Sequence, residues 1–93
     1  MRLKHIAEIK TNFPEADFWL IRKGYISNLG KPTKTFNSSH IGIKVTSEDV
    51  LPNYLFYALT YLHSLKYFEQ FSKGVLNIKH ITVDDVKNIK IDE

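Results

Sequence analysis

The sequence predicts an α+β fold, an irregular α/β arrangement: a single small domain over residues 1–93 in which a short twisted sheet packs on one long amphipathic helix, with a short C-terminal helix. Three observations lead there. Strand-like runs at DFWLIRK and HIGIKV precede a long stretch with helical period, a capped helical segment follows it, and the order has no regular βαβ rhythm. A chain of 93 residues suits one hydrophobic core.

Taken in order, LKHIAEIK places Leu3, Ile6, Ala7 and Ile9 so that it reads either as one or two helical turns or as a helix running into a strand. After the turn signal TNFPEA, DFWLIRK carries Phe18 and Leu20 on one face and Trp19 and Ile21 on the other, the pattern of an interior strand. GYISNLGKPTKTFNSS reads as a strand end, a tight turn and an exposed loop. HIGIKV alternates Ile41, Ile43 and Val45 with His40, Gly42 and Lys44, which predicts a half-buried strand.

Pro52 suits the first turn of a helix, where its missing N–H leaves no bond unmade. Leu55, Ala58, Leu59, Leu62, Leu65 and Phe68 then recur every three or four residues, Tyr54, Tyr57 and Tyr61 widen the stripe toward the core, and Gly74 is the expected stop. VLNIKHI is a short apolar–polar alternation. TVDDVKNI is a helix with Thr82 as N-cap and Asp85 three residues on, and KIDE is expected to be a last strand.

Composition narrows the function classes. The chain is 43% hydrophobic and 13% aromatic, enough to form a core, and it holds no cysteine, so disulfides and thiolate metal sites are excluded. MRLKHIAEIK has no apolar run of the kind a secretory signal needs, and YLFYALTYL is too short to span a bilayer. The expectation is a cytoplasmic protein with no membrane partner.

Charge is distributed unevenly. The formal net charge is +3, yet no acidic residue lies between Asp17 and Glu48, a window that holds Arg22, Lys23, Lys31, Lys34 and Lys44. Such asymmetry is the electrostatic footprint of a polyanion-binding face, because each cation set against a phosphate releases condensed counterions. Within it, LIRKGYISNLGKPTKTF leads a strand into glycines. Gly24 and Gly30 would let backbone N–H groups approach a phosphate while Arg22, Lys23, Lys31 and Lys34 neutralise it, and Tyr25, Ser27 and Asn28 can hydrogen-bond base edges or sugars. Lys73, Asn77, Lys79 and His80 form a second polar, basic patch.

Catalytic readings gain little support. His5, His40, His63 and His80 are far apart with no i, i+4 pair, so no metal ligand set is expected. EIK at Glu8–Lys10 with Asp17 has the outline of half a nuclease metal site, but tripeptides of this kind are common by chance. Asp84 and Asp85 suit a helix N-terminus better than acid–base work. The expectation is a non-enzymatic protein with no cofactor.

Several blocks together resemble a known family. DFWLIRKGYISNLGKPTK is similar to a strand followed by a basic residue, a glycine and a second glycine after a short apolar stretch; FNSSHIGIKV, VLPNYLFYALTYL and GVLNIKHITVDDVKNIKI follow in the order of that family, and LKHIAEIK is similar to its opening. The family is the target recognition domain of type I restriction-modification DNA specificity subunits. Few residues separate the opening segment from DFWLIRK, a second recognition domain is missing and the sequence ends at KIDE, so the expectation is a short stand-alone relative. The resemblance implies duplex DNA as partner and a DNA methyltransferase or restriction subunit as companion, in host defence or as a phage-encoded decoy. The alternative is a protein-interaction module in which the exposed part of YLFYALTYLHSLKYF forms a homodimer or docks on such a subunit.

Overall fold

The computed structural model describes residues 1–91. A 310 turn at Leu3–His5 runs directly into strand β1 (Ala7–Thr11), the second of the two readings of LKHIAEIK. Ala7 and Ile9 are buried while Glu8 and Lys10 face solvent. Strand β2 (Phe18–Leu20) is buried along its whole length, as an interior strand must be. It pairs antiparallel with β5 (Ile41–Val45) on one side and with the two-residue β4 (Pro32–Thr33) on the other. The sheet order is β1-β5-β2-β4, and the register aligns Ile9 and Phe18 with Ile43 and Leu20 with Ile41. These five side chains therefore share one face, which is the floor of the core. Pro32 occurs on the edge strand, where its missing N–H breaks no ladder.

Helix α1 (Pro52–Ser64) covers that floor, with Leu55 and Leu59 fully buried and Phe56 in edge-to-face contact with Phe18 at 5.4 Å between ring centroids. Two expectations are corrected here. The helix stops at Ser64, ten residues before Gly74, because Lys66 takes a left-handed conformation (φ 62°) and the chain folds into a 310 turn at Tyr67–Phe71. With that reversal Phe68 is buried in the core. The tyrosines are not core either: Tyr54, Tyr57 and Tyr61 are 61%, 69% and 64% exposed, and Leu65 is exposed with them.

The remaining strands form a second sheet in place of a single one. β3 (Lys23–Gly24), β6 (Lys73–Val75) and β7 (Ile78–His80) pair antiparallel in the order β3-β7-β6. VLNIKHI is thus the far half of a hairpin and not one strand, with Leu76 and Asn77 as its two-residue turn. Helix α2 (Val83–Lys87) starts as its sequence requires: the Asp85 N–H donates to Thr82 Oγ1 at 3.1 Å and the Thr82 N–H donates to Asp85 Oδ2 at 2.9 Å. The expected last strand reduces to an isolated bridge between Lys90 and Arg2, because the segment meets only the N-terminal turn; Asp92 and Glu93 lie outside the described residues. Among the described residues no helix is long and apolar enough to cross a membrane.

Candidate nucleic-acid interface

The basic loop closes on itself before it reaches solvent. The Ile21 N–H donates to the Lys31 carbonyl at 3.1 Å and the Gly30 N–H to the Ile21 carbonyl at 2.8 Å, and a 310 turn at Ile26–Asn28 forms the tip. The two glycines differ. Gly30 combines φ +78° with the Phe68 ring so close that an added Cβ would sit 2.1 Å from its Cγ, so the core demands a glycine there. Gly24 has φ +143°, and an added Cβ would meet nothing within 4 Å, so its open side is available for close approach.

Strand pairing brings the two basic patches of the sequence together. Lys23 on β3 lies opposite His80 on β7, and His80 lies opposite Lys73 on β6, which makes a cross-strand row of three basic side chains on one face. In the next row Gly24, Lys79 and Gly74 are aligned, so on the opposite face the Lys79 stem rises between two residues without side chains. Asn77 is exposed in the turn of the hairpin, flanked by Val75, Leu76 and Ile78 at 77%, 88% and 53% exposure. Leu76 has φ +56°, a conformation that two-residue hairpin turns usually assign to glycine or asparagine.

Not every basic residue of the sequence reading faces outward unengaged. The Arg22 Nε donates to the Ser39 carbonyl at 2.7 Å and pins the loop before β5. Lys73 forms an ion pair with Asp85 at 2.8 Å. Lys34 donates to Asn53 Oδ1 at 3.1 Å and lies 4.5 Å from the centroid of the Phe56 ring. It therefore belongs to the start of α1, whereas the 310 tip is tied to the helix end by His63, whose Nε2 lies 2.8 Å from the Ser27 carbonyl and must donate to it. From Asn53 to His63 is about 15 Å of helix, so Lys34 is set apart from Ser27 and Asn28. Lys23, Tyr25, Ser27, Asn28 and Lys31 are exposed, and among the described residues the ion pairs are Glu8–Lys10 and Lys73–Asp85, which leaves Lys23, Lys31 and Lys79 without a carboxylate.

Two titrating groups border this surface. Burial lowers the His40 pKa below the ordinary imidazole value and the positive charge of Arg22 lowers it further; its Nδ1 is buried without a hydrogen-bond partner. At Asp85 burial acts to raise the pKa, but the Lys73 ammonium and the hydrogen bonds with the Thr82 backbone and side chain outweigh it and hold the carboxyl below its usual range. Asp17 accepts the Val45 N–H at 2.8 Å and ties the entry to β2 to the end of β5, while Glu8 pairs with Lys10 at 3.3 Å. Among the described residues no group of three or more His, Cys, Asp or Glu side chains is placed to hold a metal ion.

Sequence reasoning missed one surface, the apolar tip of the hairpin, and offered a second, the exposed part of α1, only as an alternative while assigning its tyrosines to the core stripe. The signal for the second is legible in the chain, since residues 50–65 contain no Asp, Glu, Lys or Arg and a one-sided helix would carry charges on its outer face. Comparison of the chain with protein-family models, with curated proteins and with solved structures returns no match.

Proposed function

We propose that this protein is a non-catalytic module that binds duplex DNA through its three-stranded sheet and the adjoining 310 tip, in the manner expected of a small target recognition domain of the type I restriction-modification specificity kind. The observation that carries this reading is the β3-β7-β6 pairing, which gathers Lys23, Lys79, Lys73 and His80 from two distant segments onto one small sheet. Lys23 and Lys79 have no carboxylate partner among the described residues, and a phosphate backbone supplies the missing counter-charge. A two-stranded ribbon such as β6–β7 has the dimensions to enter a major groove, where Asn77 at its turn can pair with an adenine edge and the apolar residues beside it can meet thymine methyl groups. Lys23, Lys31 and Lys79 act as phosphate contacts that set the register, and Tyr25, Ser27 and Asn28 reach sugars or bases. In a restriction-modification setting the companion is a methyltransferase or restriction subunit in the cytoplasm.

The test is a fluorescence anisotropy titration of labelled duplex DNA at several salt concentrations. The proposal expects affinity to fall steeply as salt rises. Absence of binding at low salt would refute it.

A further inference from the structure

The uncharged face of α1 repeats in a way that suits a second copy of the same helix. Leu51, Tyr54, Ala58, Tyr61 and Leu65 follow one another at spacings of three, four, three and four, the pattern that keeps one seam toward a partner helix. Leu51 and Leu65 are the two cap residues, so the seam runs the full length of the helix. Its order, Leu-Tyr-Ala-Tyr-Leu, reads the same in both directions. In an antiparallel pair related by a two-fold axis at Ala58, each Tyr54 lies against Tyr61 of the second copy and each Leu51 against Leu65 of the second copy, with the small alanine where the helices cross.

We infer that this protein forms a homodimer in solution through antiparallel packing of α1 on α1. Three observations select a second copy as the occupant. A two-fold interface sets every charge near the axis against its own twin, and residues 50–65 contain no Asp, Glu, Lys or Arg, so this face carries no such repulsion. The area is sufficient: the seam residues Leu51, Tyr54, Tyr61 and Leu65 at 72%, 61%, 64% and 57% exposure offer about 500 Å² per copy, and Tyr57 at 69% beside the seam brings the face toward the roughly 800 Å² per partner of a standard interface. The composition, rich in tyrosine and free of lysine and glutamate, is that of an interface centre and not of a phosphate-binding face. This inference rests on the helix alone and stands or falls independently of DNA binding.

Sedimentation velocity across a wide concentration range tests it. The wild type is expected at twice the chain mass of 10.8 kDa, and Tyr61→Asp is expected to raise the dissociation constant by about 30-fold or more while its thermal melt stays cooperative. Because the chain has no cysteine, Ala58→Cys is expected to form an intermolecular disulfide with itself under mild oxidation, and Leu65→Cys to crosslink with Leu51→Cys but poorly with itself. The crosslinking decides the matter even if Tyr61→Asp fails to fold. A monomer at every concentration would overturn the inference and leave the face to a different protein. A dimer that persists in Tyr61→Asp, with no Ala58→Cys crosslink, would place the interface elsewhere and overturn it equally.

Discussion

In the four-stranded sheet, Ile9, Phe18, Leu20, Ile41 and Ile43 are all at most 4% exposed, whereas in the three-stranded sheet Val75 and Ile78 are 77% and 53% exposed. Both sheets are antiparallel and both contain β-branched residues, at alternate positions of β5 in the first and as the cross-strand pair Val75 and Ile78 in the second. What separates them is a second layer: α1 and the Phe68 turn cover the first sheet, while the hairpin tip of the second has no layer over it among the described residues. Alternation therefore marks which face a residue occupies, and only the opposing layer decides whether that face is dry. The first sheet is the scaffold, and the second carries the basic row that the scaffold holds out to solvent.

The same chemical change should have opposite weight in the two regions. Leu59→Ala empties a fully buried site under α1 and is expected to cost about 2–5 kcal/mol, while Leu76→Ala at the hairpin tip is expected to stay within about 0.5 kcal/mol of wild type. Chemical denaturation of both variants measures the contrast; a large loss in Leu76→Ala would show that the tip is packed after all.

The glycines sharpen the comparison at a smaller scale. Gly30→Ala incurs both backbone strain and the Phe68 clash and is expected to destabilise by about 2–5 kcal/mol, whereas Gly24→Ala incurs strain alone, about 1–3 kcal/mol. Equal melting temperatures for the two variants would break the distinction between a glycine that the core requires and one that faces open space.

A still smaller effect comes from His40, on the loop that joins the scaffold to Arg22. Its folded pKa lies below that of the unfolded chain, near 6.5, so between the two values the unfolded state binds the extra proton. The corresponding stability is complete above about pH 6.5 and is lost as pH falls toward the folded value. Melting temperature should therefore drop on acidification below about pH 6.5, and His40→Gln should flatten that dependence. A melting temperature that rises in this window would reverse the assigned sign.

Much of the scaffold was legible in the chain. The interior character of β2 follows from apolar residues on both faces of FWL, β5 from the alternation of HIGIKV, the start of α1 from Pro52 and the start of α2 from Thr82 and Asp85. The end of α1 was not, because nothing in SLKYFEQF breaks a helix; Lys66 adopts its left-handed turn only because burial of Phe68 against Gly30 outweighs helical propensity. The tyrosines misled for a related reason: apolar groups around most of a short helix leave the buried side undetermined until the sheet is known. For the basic surface the sequence supplied the residues but not their grouping. The pairing of Lys23 with His80 is a contact between segments more than 50 residues apart, and the capture of Lys73 by Asp85 and of Lys34 by Asn53 depends on tertiary placement alone.

The most direct measurement of the division between scaffold and surface is the slope of log affinity for duplex DNA against log salt in two double variants. Lys23→Ala with Lys79→Ala removes two cations from the three-stranded sheet, and Lys10→Ala with Lys44→Ala removes two from the solvent face of the four-stranded sheet. The first pair is expected to lower the magnitude of the slope by roughly two units, since each phosphate contact contributes about 0.9, and the second to leave it nearly unchanged. Equal losses in both pairs, or no loss in the first, would contradict the assignment of DNA binding to the three-stranded sheet.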